Sequence, residues 1–272
     1  MDSFKNKVAV ITGAASGIGE AIANECCKRE MKLVLSDINS EKLEILAQQL
    51  KEKNQNVITV CADVSNKIEV EKLAQATFSA FKSVDFLFNN AGIAGPFGAI
   101  WEVDELELEK VIKVNLMSVI YGLRLFIPSM IKEDKECWII NTASGAGLYT
   151  SGLLTSNLPG YVASKHAVVA LSEQLYLDIQ KRKLKINVSV LCPGPVATNF
   201  LDSIKVENNN DVIEEFKNKI ANSMTPSVVA EQVFKGIQSK QFYILTHYEE
   251  HHEHIERRMN NILQRKNPAN VN

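Results

Sequence analysis

The sequence predicts an α/β fold, a single doubly wound parallel sheet with helices on both faces. Three observations carry that expectation. Short, wholly apolar runs alternate with amphipathic helical patterns along the 272-residue chain, as strands covered on both faces do. A glycine-rich turn, Thr12-Gly13-Ala14-Ala15-Ser16-Gly17-Ile18-Gly19, joins the first apolar run to the first helical pattern. An acidic residue, Asp37, ends the second apolar run.

In chain order, residues 8–11 read as a strand and 18–29 as a helix. A second strand covers 33–36. Ser40 is the expected cap of the next helix, where Leu43, Leu46, Ala47 and Leu50 recur at helical spacing. Then come a strand at 57–61, a helix at 69–82, a strand at 86–89 and one long helix at 105–132. A strand at 138–141, a helix at 161–181 and strands at 185–191 and 242–245 complete the alternation. Residues 149–160 and about 200–225 carry no regular pattern, which marks them as substrate-side loops. Residues 1–250 are expected to form one domain, including a loop at about 199–225. Residues 251–272 read as a polar C-terminal helix and tail.

With 46% apolar and 23% charged residues and a net charge of −2, the chain lacks the basic excess of a nucleic-acid or membrane-surface binder. The apolar run at 8–11 is too short for a signal-peptide core, and no run of about 18 apolar residues suggests a membrane span. Five cysteines, at 26, 27, 61, 137 and 192, form no CxxC pair. They read as buried, reduced thiols rather than as a disulfide framework or a zinc site, which leads to an expectation of a cytoplasmic protein.

The glycine-rich turn carries chemistry as well as shape. Glycines at a strand-to-helix bend let backbone approach a pyrophosphate, and the helix N-terminus adds unpaired N–H groups and a positive dipole end. Asp37 is placed to accept hydrogen bonds from a ribose diol. Its charge repels a 2′-phosphate, and neither Ser16 nor Ile38 and Asn39 offers a cation. NAD is therefore the expected cofactor, with NADP disfavoured. Further on, Tyr161 and Lys165 are four residues apart, on one helical face. A neighbouring ammonium lowers a phenol pKa from near ~10, making a tuned proton donor or acceptor.

Read in order, the Thr12–Gly19 turn, Asp37, Asp63, Asn89-Asn90-Ala91-Gly92, Asn115, Ser144, Tyr161, Lys165 and Pro193-Gly194-Pro195-Val196-Ala197-Thr198 make the chain resemble a classical short-chain dehydrogenase/reductase. The resemblance is continuous from about residue 5 to 198 and weaker to about 247. It implies a Rossmann-type fold and an NAD(P)-dependent enzyme that interconverts a secondary alcohol and a ketone by hydride transfer. Tyr161 would be the general acid/base. Lys165 would lower its pKa and hold the nicotinamide ribose. Ser144 would bond the substrate oxygen, and Asn115 would help hold a water in a proton relay. For the cofactor it implies Gly13, Ser16, Gly17, Ile18 and Gly19 at the pyrophosphate, Asp37 and Ile38 at the adenosine ribose, and Asp63 and Val64 at the adenine. Asn90, Ala91 and Gly92 would line the cleft, with Pro193, Gly194, Val196 and Thr198 at the nicotinamide end. No metal is needed. The segment from Ser144 to Tyr161 is longer than the family pattern, which leaves the local pocket shape open.

A non-catalytic dinucleotide sensor on the same fold is the alternative; it need not keep Ser144, Tyr161 and Lys165 together. A lyase-type relative would tend to lose the nucleotide signature, and an epimerase of the extended branch would need a C-terminal substrate domain. Ile93, Phe97, Ala146, Leu148, Tyr149, Leu154, Phe200 and Leu201 are the candidate pocket residues, suggesting an apolar alcohol or carbonyl substrate. His247, His251 and His254 lie on one helical face and could suggest a metal; a polar, solvent-exposed helix is the expected reading. The resemblance implies a homotetramer or homodimer paired through the helices at 105–132 and 161–181. Leu116, Val119, Leu123, Val169, Leu175 and Leu177 are more apolar positions than one stripe needs. No nucleic-acid or membrane partner is expected.

Overall fold

The computed structural model describes residues 4–53, 56–150, 157–200, 204, 218 and 220–268. Seven parallel strands form one sheet: β1 (Val8–Thr12), β2 (Lys32–Asp37), β3 (Val57–Cys61), β4 (Phe86–Asn89), β5 (Cys137–Thr142), β6 (Ile186–Cys192) and β7 (Tyr243–Leu245). Their order is β3-β2-β1-β4-β5-β6-β7, so the winding reverses between β1 and β4. Among the described residues the helices are α1 (Gly17–Lys28), α2 (Ser40–Lys51), α3 (Lys67–Phe81), α4 (Glu105–Ile112), α5 (Ser118–Glu133), α6 (Pro159–Arg182), α7 (Pro226–Gln238) and α8 (Tyr248–Leu263).

Period-two geometry sends alternate strand residues into two separate cores. Ala9, Ile11, Leu33, Leu35, Phe86, Phe88 and Leu191 face one side, where they meet Ile22 and Cys26 of α1, Leu43 and Leu46 of α2, and Val233 and Phe234 of α7. Val8, Val10, Val34, Leu87, Ile139 and Val190 face the other, against Leu73 of α3, Val119 and Phe126 of α5, and Val168 of α6. Both faces are buried, which is why these strands read as continuous apolar runs.

Several local expectations change. Asn39, not Ser40, caps α2: its side chain accepts from Lys42 N at 3.0 Å, and Ser40 is the first helical residue. The long helix is broken at residues Lys113–Met117 by a π turn that contains Asn115. α7 was not foreseen, although Thr225-Pro226 opens it and Val229, Ala230, Val233, Phe234 and Ile237 bury one face. Contrary to the reading that nothing suggests a span, Glu105–Glu133 is long and apolar enough by length and composition to cross a membrane. Val119, Leu123, Phe126 and Met130 of that stretch lie in the core beneath the sheet. The same burial corrects the surplus-stripe argument for pairing: Val119, Leu123 and Val169 are core residues, Leu116 and Leu175 pack against them, and only Leu177, 60% exposed, presents itself to solvent. Cys61 is exposed, while the other four cysteines are buried.

Candidate active site

In a parallel sheet, ligands bind beyond the strand C-termini where the winding reverses. Here a cavity of about 700 Å³ lies along that edge. It is lined by residues that directly follow five strands: Gly13 after β1, Ala62 and Asp63 after β3, Asn90–Gly92 after β4, Ala143–Ala146 after β5 and Pro193–Val196 after β6. Asp37, the last residue of β2, joins them.

One end is built from backbone. Gly13 and Gly17 adopt left-handed conformations, with φ of +65° and +57°. A Cβ at Gly13 would stand 2.9 Å from Ala91 Cα, and one at Gly19 would stand 2.0 Å from Gly13 O. Gly19 therefore works by close packing beneath the turn, and Gly13, Ser16, Gly17 and Ile18 line the cavity. The Ser16 side chain makes no capping bond at the start of α1, so the leading N–H groups are left to an outside acceptor. Thr198 stands across from Gly17, its Cγ2 3.0 Å from where a Cβ would be.

Short polar side chains lock this end. Thr12 Oγ1 accepts from Asn90 N at 3.0 Å and Ala91 N at 3.2 Å, while Asn90 Nδ2 donates to Thr12 O at 3.1 Å. Asp37 accepts from Ala15 N at 3.0 Å through one oxygen and from Asn39 N at 2.9 Å through the other. Each carboxylate oxygen keeps a second lone pair for a ligand. Ile38, Asp63 and Val64 also line the cavity, and among the described residues no Arg or Lys side chain bonds the Asp37 carboxylate. A glycine cradle, an uncapped helix start and a fixed acceptor fit the adenosine diphosphate moiety of a nicotinamide dinucleotide.

At the other end, Ser144 leads a 3₁₀ turn (Gly145–Gly147). Its Oγ accepts from Ala146 N at 3.1 Å and donates to Pro193 O at a long 3.5 Å. Tyr161, in the first turn of α6, lines the same cavity as Ser144. Burial pushes the Tyr161 hydroxyl up to about 12, with the neighbouring Ser144 hydroxyl pulling the other way. Lys165 is 2% exposed, and burial draws its amine down to about 8. This corrects the expectation that Lys165 holds Tyr161 below its ordinary value. The Lys165 Nζ donates to Thr142 O at 2.9 Å and stands 5.7 Å from the Tyr161 ring centre, and desolvation is the largest influence on the phenol.

Asn115 does not line the cavity. Its Oδ1 accepts from Ile93 N at 2.8 Å, and its Nδ2 donates to Ile93 O and to Ser164 Oγ, each at 3.0 Å. A Cβ at Gly92 would come within 3.2 Å of both Asn115 Oδ1 and Lys165 Nζ. Asn115 therefore fixes the wall against which Lys165 lies.

The C-terminal helix departs most from expectation. α8 begins at Tyr248, and one face of its first turns meets the site while Tyr248, Glu249, His252 and Glu253 stay exposed. His251 is wholly buried and bonds both Tyr149 and Cys192, while Glu250 and His254 line the cavity. His247 accepts from Gly194 N at 3.2 Å, and Arg257 donates to His254. Each of these three histidines thus has its own hydrogen-bond partner, and the described residues form no metal-holding cluster. Glu250 and His254 carry no sequence signal that tells them from a solvated helix. Of the candidate pocket residues, Ile93, Ala146, Tyr149 and Phe200 line the cavity. Leu148 instead packs on the core beneath the sheet, and Phe97 packs with Ala94, Leu158 and Ile220. Leu154, Leu201 and most of the 199–225 loop fall outside the described residues.

A family model described as short chain dehydrogenase matches residues 7–209. A Lactiplantibacillus plantarum protein named CLA biosynthesis dehydrogenase/reductase is 36% identical over 264 residues, covering 92% of this chain and 91% of that one. A Burkholderia phymatum short chain dehydrogenase/reductase, solved with NAD, superposes with a TM-score of 0.93 at 35% identity, covering 100% and 99% of the two chains. A Thermococcus sibiricus alcohol dehydrogenase, solved with 5-hydroxy-NADP, superposes with a TM-score of 0.74 at 28% identity, covering 88% of this chain and 95% of that one.

Proposed function

The chain belongs to the short chain dehydrogenase family of oxidoreductases, and on that premise we propose that it interconverts a secondary alcohol and a ketone, with NAD preferred over NADP and Tyr161 as general acid/base. One observation carries the reading. Ser144, Tyr161 and Lys165 line the same cavity as the Gly13–Gly17 turn and Asp37, so a dinucleotide held at one end would reach the proton-transfer group at the other.

The bound nicotinamide would supply or accept the hydride. The residues of the chain handle the rest. Tyr161, held protonated by burial, donates its proton to a carbonyl oxygen during reduction and takes it back during oxidation. Ser144 already accepts from Ala146 N, so its own proton is the group it can offer to the substrate oxygen, and its bond to Pro193 O is long enough to give up. At neutral pH Lys165 is still mainly charged, and that charge beside the Tyr161 ring favours the developing phenolate. Asn115 serves the proton relay through the Gly92–Ile93 wall it holds in place.

Asp37 supports NAD. Its carboxylate is fixed, among the described residues no Arg or Lys side chain bonds it, and a phosphate there would face like charge. Ile93, Val114, Ala146, Tyr149, Phe200 and Ile220 support a mainly apolar substrate, with Lys110, Glu250 and His254 also on the wall. Assembly as a homodimer or homotetramer is part of the same proposal, with Tyr176 and Leu177 exposed apolar positions on α6. A sensor role is not favoured, because it does not account for Ser144, Tyr161 and Lys165 meeting in one cavity. The test is a panel of aliphatic, cyclic, aromatic and steroid ketones and alcohols, run with NADH or NAD⁺ and with the NADP pair. Turnover of at least one ketone, faster with NADH, is expected. NADH binding without turnover of any panel member would reject the catalytic reading.

A further inference from the structure

We propose that His251 of α8 is a positioning residue for Ser144, acting through Tyr149. The inference rests on the reading that Ser144 bonds the substrate oxygen.

The ring has one satisfactory protonation state. His251 Nε2 lies 3.1 Å from Cys192 O, and a carbonyl only accepts, so Nε2 carries the proton. Nδ1 then accepts from the Tyr149 hydroxyl at 2.9 Å. Burial disfavours the charged imidazolium, which keeps this neutral form. Both partners belong to the segments that hold Ser144. Cys192 ends β6 and precedes Pro193, whose carbonyl accepts from Gly145 N at 2.9 Å and from Ser144 Oγ. Tyr149 ends the segment that Ser144 begins, and its N donates to Gly145 O at 3.2 Å. One imidazole thus ties the segment after β5 to the segment after β6.

The segment needs such a tie. A 3₁₀ turn with glycine at two of its three positions has little intrinsic preference for one conformation. Its glycines are dictated by what packs on them. A Cβ at Gly145 would lie 2.4 Å from His251 Cε1, and one at Gly147 would lie 2.6 Å from Lys165 O. The imidazole is therefore seated directly on the residue next to Ser144. His254 stacks on the Tyr149 ring at 4.5 Å and 15°, holding that side chain from a second direction.

Three substitutions separate the two bonds. Tyr149→Phe and His251→Gln remove the Tyr149–His251 bond, and the glutamine can still donate toward Cys192 O. His251→Asn keeps an acceptor near the Nδ1 position. With the ketone turned over fastest in the panel above, Tyr149→Phe and His251→Gln should each lower kcat by roughly tenfold to a hundredfold, because a small misplacement of a catalytic group is expensive. His251→Asn, which keeps the Tyr149 contact but loses the donor to Cys192 O, breaks the other half of the tie and should lower kcat by a similar factor. The KM and the NADH dissociation constant should change less than about threefold. Hydrogen exchange of the 144–149 amides should quicken while that of β1 and α1 does not. The decisive step is His251→Gln in a Ser144→Ala background, where no further loss of kcat is expected. A costly Ser144→Ala with an additive His251 effect would overturn this inference alone. A Ser144→Ala that costs nothing would overturn the Ser144 assignment and this inference with it. Unchanged kcat in Tyr149→Phe and His251→Gln, or an equal loss of NADH affinity, would show His251 to be a packing residue only.

Discussion

The two ends of the cavity are made of different materials. At the Asp37 end the working groups are backbone amides, glycines and short polar side chains, and they follow directly on strand ends. Thr12 and Asn90 hold each other, and Asp37 holds Ala15 N and Asn39 N, through bonds of 2.9–3.2 Å that each involve main chain. At the Tyr149 end the wall is assembled from large side chains that are far apart in sequence. Tyr149 meets His251 across 102 positions, and Ile93, Phe200 and Ile220 come from three other segments, with Glu250 beside His251 on α8. An end defined by backbone accepts one ligand shape and little variation. An end defined by side chains can be rebuilt one residue at a time, so on the proposed reading substrate identity is decided there.

The largest expected effect tests whether the two ends are separable. Tyr161→Phe removes one proton-transfer group and leaves the glycine turn untouched. The kcat should fall by roughly two to four orders of magnitude, with the NADH dissociation constant nearly unchanged. A parallel loss of NADH affinity would show that the two ends are one mechanical unit, and near-full activity would remove Tyr161 from the chemistry.

This division also explains what could be read from the sequence. The strands, the glycine turn, Asp37 and the order of the motifs were legible because each is local: a burial pattern, a positive φ, a residue at a strand end. The strand at 57–61 was placed to the residue. α7 was missed although its signals are local too, a Pro at the first helical position and an apolar face from Val229 to Ile237. The π turn around Asn115 leaves no mark in periodicity. His251 was misread because polarity on a helix normally means solvent, and nothing in the pattern shows that the facing surface offers a phenol and a carbonyl. The Tyr161 and Lys165 spacing gave the pairing but not the burial that sets both groups away from their ordinary values.

The next effect sharpens the account of the Asp37 end. Wild-type protein should bind NADH more tightly than NADPH by on the order of a hundredfold, a few kcal/mol of uncompensated repulsion. The structure adds that Asp37 also holds Ala15 N, so removing it loosens the turn. Asp37→Asn deletes the charge but keeps an acceptor, and it should narrow the gap mainly by improving NADPH binding. Asp37→Ala should narrow it mainly by weakening NADH. Adding Ser16→Arg to Asp37→Asn should narrow it further or invert it. Titration of both reduced cofactors measures each case. Equal binding by the unmodified protein would place Asp37 away from the ribose.

The smallest effect concerns Lys165, which lies at the seam between the two ends, bonded to Thr142 O and packed under Gly92. Its folded-state value, about 8, lies below the 10.5 of the unfolded chain. Between those values the unfolded chain binds a proton that the folded protein does not, so this residue makes stability rise with pH there; below about pH 8 both states carry the charge and its full burial penalty applies. Tyr161 acts in the opposite sense, but only from its ordinary value of 10.0 up to about 12. The buried thiols Cys137 and Cys192, pushed up to about 11 and about 12, lower stability above pH 9 whether or not Lys165 is present. The clean comparison is therefore wild type against Lys165→Met, by denaturant titration between about pH 8 and pH 10. The wild type should gain on the variant steadily across that window. A constant difference would mean that the amine keeps its solvent in the folded protein. The seam would then be wet, and the charge of Lys165 would be too well screened to support the phenolate of Tyr161.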